Sequence, residues 1–304
     1  MKIMVTGGAG FIGSHIVDKL IEGGHEAVVV DNLSTGNIEN INERAAFYNI
    51  DIRDQELYRI FELEKPGIVI HHAAQIDVQT SIRQPAFDGD VNILGTVNIL
   101  EQCVKYGIKK IIYASSAAVY GVPNYLPVDE NHAVDPISYY GISKHTPEHY
   151  IKAYSLLHGL KYTILRYANI YGPRQDPKGE GGVVSIFTNR MLNGERPMIF
   201  GDGEQTRDYI YVGDIAEANV KALQLGNNEI MNISTNTKTT VNELFSLMSS
   251  IIGFAGKPVY CEERKGDIKH STLDNSKARQ LLGWEPKVML AEGLRKTINS
   301  VRNY

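Results

Sequence analysis

The chain has 304 residues, 43% of them hydrophobic and 22% charged, with a net charge of −4. That length suits one large folding unit, or a large one with a smaller companion, and the absence of any long basic run argues against binding to nucleic acid or to an anionic membrane. Cys103 and Cys261 are the only cysteines; far apart and without metal spacing, they point to a reducing, cytoplasmic compartment.

The start, "MKIMVTGGAGFIG", is apolar, but its glycines interrupt it before a signal-peptide core or a membrane span could form. "KIMVT" is read as the first strand, followed by a helix over "FIGSHIVDKLIEGG" and a second strand, "EAVVVD". "AAFYNID" then precedes the helix "DQELYRIFELE", and "GIVIHHAA" precedes a helix near "VNILGTVNILEQCVKYG". "KKIIYASS" leads to the helix that opens at "YYGISK", and "YTILRYANIYG" comes after it. Near-continuous apolar strands separated by helices predict a parallel sheet covered on both faces, the doubly wound α/β class (Rossmann fold), with ligands at the carboxyl ends of the strands.

Past residue 171 the pattern loosens. Pro173, Pro177 and four glycines in "YGPRQDPKGEGG" mark a long loop of the kind used as a lid or binding element. A helix near "VVSIFTNRML", the short segment "RDYIYV" and helices near 214–225, 240–252, 274–282 and 290–302 complete the chain. The expected division is a dinucleotide-binding domain over 1–170, to which a segment near 209–233 returns, and a smaller mixed α/β lobe over 171–304 built onto the sheet.

"VTGGAGFIG" places Gly7, Gly10 and Gly13 at three-residue spacing between the first strand and the first helix, and Gly8, Gly10 and Gly13 also satisfy G-x-G-x-x-G. Such glycines permit a tight turn and let backbone N–H groups approach a pyrophosphate at the positive helix end. Asp31, ending the second strand, is placed to accept from adenosine ribose hydroxyls. Its neighbours "DNLSTG" hold no Arg or Lys for a 2′-phosphate, which favours NAD over NADP.

In "YYGISK" it is Tyr140, not Tyr139, that has a lysine, Lys144, four residues on. One helical turn brings any such pair together, so the spacing alone also fits an ordinary helix surface. Behind a dinucleotide fingerprint, and after a strand ending in Ser115 and Ser116, the pair reads as a proton-handling site, with Lys144 expected to lower the phenol pKa.

Several stretches together resemble the extended short-chain dehydrogenase/reductase family, and within it the UDP-glucose (UDP-galactose) 4-epimerases. They are "VTGGAGFIGSH", "VVVDNLSTG", "DIRD", "SSAAVYG", "YYGISKHTPEHY", "RYANIYGPR", "GDGEQTRDYIYVGDIA" and "LGWEP", and they span nearly the whole chain. The resemblance implies Ser116, Tyr140 and Lys144 as the catalytic group. It assigns NAD to the glycine loop with Phe11 and Ile12, and the adenosine half to Asp31, Asn32, Ser34, Gly36, Asp51 and Ile52. Ala73 and Ala74 follow, with Asn92 and Tyr167 nearer the nicotinamide. The sugar nucleotide falls to Asn169, Val183, Val184, Phe200, Arg207, Arg264 and Asp267, with Ser271 at a gate beside the sugar 2-substituent. In the family, a bulky tyrosine at that gate restricts turnover to plain hexoses, so Ser271 implies room for an N-acetyl group.

The reaction so implied is removal of the 4-hydroxyl proton by Tyr140 with hydride transfer at C4, rotation of the 4-keto sugar, and return of both. Related dehydratases and decarboxylases place acidic residues where this chain has Ala117 and Ala118. A UDP-glucuronate 4-epimerase remains an alternative, as does a non-catalytic NAD-binding regulator, although a regulator has no need of an intact Ser116, Tyr140 and Lys144. By the same resemblance the helices near 92–106 and 141–158 pair in a homodimer. No metal is expected: "HTPEH" matches a zinc-protease pattern, but its proline and its overlap with Tyr140–Lys144 argue against a ligand set, and His71 and His72 read as packed residues. Pro147 is expected to kink its helix just past Lys144.

Overall fold

The computed structural model describes residues 1–177, 182–263 and 268–302. Its centre is a seven-stranded parallel sheet in the order β11-β6-β5-β4-β1-β2-β3, comprising β1 (Lys2–Thr6), β2 (Glu26–Asp31), β3 (Ala46–Asn49), β4 (Ile68–His71), β5 (Lys110–Ser116), β6 (Lys161–Tyr167) and β11 (Glu229–Ile233). β4 is buried along its whole length and β2 along all but its first residue, as a sheet covered on both faces requires. One face packs Ile3, Val5, Val29 and Ile112 against α1 (Phe11–Glu22). The other packs Met4, Val28, Val69 and Ile111 under α2 (Tyr58–Glu64) and under α5 (Gly95–Lys105), which follows the short helices α3 (Val78–Arg83) and α4 (Pro85–Gly89).

The helix expected near 92–106 begins with a π-helical turn at Asp90–Leu94, which carries Asn92 inward. α6 (Tyr139–His158) starts where the Ser138 side chain accepts from Gly141 N–H, and it stops at Gly159, whose φ of 73° suits a residue without a Cβ. The expected kink at Pro147 does not interrupt it: the helix runs through, with Pro147 buried.

After β6 the chain forms β7 (Asn169–Tyr171), α7 (Val183–Leu192), β8 (Met198–Phe200), β9 (Thr206–Arg207) and β10 (Tyr209–Tyr211). α8 (Val212–Ala222) then packs beside α1, and β11 joins the sheet edge next to β6 in parallel register, Ile233 opposite Tyr167. β12 (Thr239–Thr240), α9 (Val241–Ile252), β13 (Val259–Cys261), α10 (Ser276–Leu282) and α11 (Leu290–Arg302) complete the chain. A separate apolar cluster of Tyr171, Phe187, Leu244, Met248 and Ile298 unites α7, α9 and α11. The strand order reverses between β1 and β4, which opens a crevice at their carboxyl ends.

Candidate active site

That crevice is a cleft lined by Gly7, Gly10, Phe11, Ile12, Gly13, Asp31, Asn32 and Ser34 from the first two strand ends, and by Asp51, Ile52, Ala73 and Ala74 across from them. Two glycines here leave no room for a side chain. Gly7 has φ +72°, and a Cβ on it would lie 2.6 Å from the Ala73 nitrogen; a Cβ on Gly13 would lie 2.1 Å from the Gly7 carbonyl oxygen. The turn and the helix start thus close on each other, and the N-cap of α1, Gly10, offers no side chain to its free N–H groups, with no acidic residue in the first turn. An uncapped helix end facing a cleft is an anion site. Asp31 stands opposite with its carboxylate accepting from Ala9 N–H at 3.0 Å and Leu33 N–H at 2.8 Å, while Gly36 packs against it. Asn32 donates to Asp51 at 2.7 Å, and Arg53 is engaged by both Asp51 and Asp90. These residues fit an NAD dinucleotide: N–H groups for the pyrophosphate, a carboxylate for the ribose, and a nearby arginine already neutralised by two carboxylates.

At the same end of the sheet β5 finishes at Ser116, beside Tyr167 of β6. The Ser116 side chain accepts from Ala118 N–H at 3.2 Å and lies close enough to the Tyr140 phenol to favour its ionised form. Tyr140 is half-buried, whereas Tyr139 is exposed. Burial raises the Tyr140 phenol above its ordinary 10.0, Ser116 opposes this, and Asp88 adds to the rise. The expected lowering by Lys144 is not found: the dry setting penalises a phenolate, and the Lys144 ammonium lies 4.7 Å above the Tyr113 ring instead. Lys144 is buried, and burial pulls it down to about 8 against Glu148 and Asp88.

Asn92 is buried in a network, accepting from Gln75 N–H at 2.8 Å and donating to Asp88 at 3.2 Å and to Ser143 at 2.9 Å. Tyr167 stacks on His72 and accepts from Asn219 at 2.8 Å. His71 and His72 are held neutral by burial, which lowers both to about 3, and His71 bonds Thr6 and Thr96. In the "HTPEH" stretch Glu148 faces Arg166, while His145 and His149 meet each other at 2.9 Å. Among the described residues no group of three metal-binding side chains gathers.

A second pocket joins Asn169, Val183, Phe200 and Arg207, with Gln205 and Tyr209 beside them. Val184 is instead part of the apolar cluster under α7. Ser271 donates its N–H to the Thr206 carbonyl at 3.2 Å, next to Arg207. Arg264 and Asp267 lie outside the described residues. Asp88 and Gln75 stand in no motif of the sequence; Arg166 opens "RYANIYGPR", and Glu148, in "HTPEH", falls one turn after Lys144.

A doubly wound sheet with an NAD-shaped cleft at its switch point and a Ser-Tyr-Lys group beside it defines a dinucleotide-dependent enzyme of the short-chain dehydrogenase type. The match of residues 3–234 to the NAD dependent epimerase/dehydratase family makes the chain a member of that family. It is 55% identical, over 99% of its length and 98% of the relative's, to the "Putative UDP-glucose 4-epimerase" of Methanocaldococcus jannaschii. Its structure resembles that of the UDP-glucose 4-epimerase of Thermotoga maritima crystallised with UDP-glucose, with a TM-score of 0.98 and 53% identity over 100% of this chain and 99% of that one. The Thermus thermophilus UDP-glucose 4-epimerase complexed with NAD gives a TM-score of 0.94 at 42% identity, over 99% of each chain.

Proposed function

We propose that this chain is a cytoplasmic, NAD-dependent 4-epimerase of UDP-hexoses. It interconverts UDP-glucose and UDP-galactose, and accepts UDP-GlcNAc and UDP-GalNAc, by way of a 4-keto sugar. The observation that carries the reading is Ser116 at the end of β5 set against Tyr140, with Lys144 one turn on and the dinucleotide cleft at the same end of the sheet. Ala117 and Ala118, which move no protons, follow directly and support epimerisation over elimination.

NAD, when bound, supplies hydride acceptance and return at sugar C4. Tyr140 takes the 4-hydroxyl proton and gives it back, Ser116 holds the same oxygen, and the Lys144 cation favours the phenolate once substrate and dinucleotide fill the site. Residues 1–170, with the segment near 209–233, serve the dinucleotide; those from 171 onward serve mainly the sugar nucleotide. There Asn169, Phe200 and Arg207 line the second pocket, and a guanidinium suits a diphosphate because it donates paired hydrogen bonds. Exposed Leu94, in the turn before α5, and Ile142 and Tyr150 of α6 support a homodimer through these helices.

The test is incubation of the purified protein with a panel of UDP-sugars, UDP-glucuronate included, and separation of the C4 epimers. Interconversion of the UDP-hexoses without added NAD is expected. Accumulating reduced nicotinamide with substrate consumed would make the protein a net oxidoreductase, and preference for UDP-glucuronate would overturn the substrate assignment.

A further inference from the structure

Tyr140, Lys144 and Glu148 recur every four residues along α6 and so share one helix face. The first two belong to the site; Glu148 lies deeper, fully buried, and accepts three hydrogen bonds from two residues. Its carboxylate accepts from Ser115 Oγ at 2.6 Å, from Arg166 Nε at 2.9 Å and from Arg166 NH2 at 2.6 Å. Ser115 and Arg166 are register partners on β5 and β6, each one residue before Ser116 and Tyr167. One carboxylate therefore ties the helix bearing Tyr140 to the strand ends bearing Ser116 and Tyr167. Arg166, itself 3% exposed, has its guanidinium 4.8 Å over the Tyr120 ring, so the ion pair is sealed from water on both sides.

We propose that Glu148 and Arg166 are positioning residues for the Tyr140–Lys144 pair: they clamp α6 to the ends of β5 and β6, and their mutual neutralisation lets Lys144 remain a cation beside them. The inference rests on the epimerase reading only for what Tyr140 and Lys144 then do. Burial would raise Glu148, but Arg166, His145 and Ser115 hold it at about 2, so the pair is ionised throughout the working range. The charged and titratable groups facing Lys144 are Tyr140 and Glu148 on its own helix, Tyr113 of β5, Asp88 of α4, and His71 and His72 at the end of β4. Those facing Glu148 are Arg166, His145, His149, Lys144, Tyr113 and Tyr162. His71 and His72 are neutral, so at neutral pH the balance around Lys144 turns on Asp88 and the Glu148–Arg166 pair.

The experiment uses the NAD-loaded protein with lysine labelled at 13Cε, the Lys144 signal being the one lost in K144M, and records its titration beside the pH profile of kcat/KM. Glu148→Gln leaves Arg166 as an unpaired buried cation. The Lys144 titration and the alkaline limb should fall by about one pH unit, the size expected for one charge at this range. Arg166→Gln leaves the carboxylate alone and should move both upward by a similar amount. The double variant, neutral again, should return both near wild type. A purely structural pair would damage activity in both single variants without opposite shifts; shifts of one sign, or none, overturn the proposal. If a single variant fails to fold, Glu148→Asp replaces it. Aspartate keeps the charge but falls one methylene short of its partners, so kcat should drop while Lys144 titrates as in wild type, and an unchanged kcat refutes the clamp. If no UDP-hexose is turned over, the functional reading falls, while the Lys144 titration still decides this one.

Discussion

Tyr140 offers the sharpest test among the individual residues. Replacing it with phenylalanine removes the only group proposed to take the sugar proton and leaves the ring packing in place. Turnover is expected to fall by about 10²–10⁴-fold with retained NAD, measured by epimer separation and by absorbance of the released cofactor. Near-normal turnover would remove the phenol from the reaction. At the gate, Ser271→Tyr should abolish turnover of UDP-GlcNAc while sparing UDP-glucose, because a ring beside the strand that carries Arg207 fills the space proposed for the N-acetyl group; an unchanged ratio of the two rates would refute the gate. Tyr140 and Lys144 were legible from their spacing and surroundings. Asp88, one helical turn before Asn92, was not, since a lone carboxylate in a short polar stretch carries no signal until Gln75 and Asn92 close on it in space.

The turn between β1 and α1 is the element on which cofactor binding depends. A methyl group at Gly13 would meet the Gly7 carbonyl oxygen at 2.1 Å, a contact that backbone on both sides cannot relieve. Gly13→Ala should therefore yield protein purified with little NAD and with a lower melting temperature, and cofactor content equal to wild type would contradict this geometry. In α9 the Thr240 hydroxyl accepts from Glu243 N–H while Glu243 reaches back to Thr240 N–H. Thr240→Ala is expected to cost about 1 kcal/mol in chemical denaturation without altering catalysis. Both devices follow from local sequence, glycine spacing in one and T-x-x-E in the other. The continuity of α6 through Pro147 did not: a proline removes one helical hydrogen bond, but burial of its ring and the anchoring of Glu148 immediately after it hold the helix together.

Across the whole molecule, acid stability follows from groups that the fold takes out of water. Glu148 is depressed from an ordinary 4.5 to about 2, so its contribution is complete above 4.5 and lost as pH falls towards 2. His71 and His72 fall from 6.5 to about 3; the unfolded chain takes up those protons first, so stability declines as pH drops through that window. Urea midpoints should fall steadily from pH 7 to pH 4, and the decline should flatten in a His71→Gln variant; a flat wild-type profile would contradict the buried, neutral histidines. The alternation of strands and helices, the parallel sheet, the glycine turn with Asp31, and the Tyr140–Lys144 pair are each written in local periodicity or in spacing within one turn. Tertiary structure alone decided that Ser115 and Arg166 meet Glu148 and that Asn92 is spent on Gln75, Asp88 and Ser143. It alone placed Val184 in the core while its neighbour Val183 faces the pocket. Those outcomes depend on which residues of separate strands share a register and a face, and on the desolvation that follows when they close together, and neither quantity exists in the chain until it has folded.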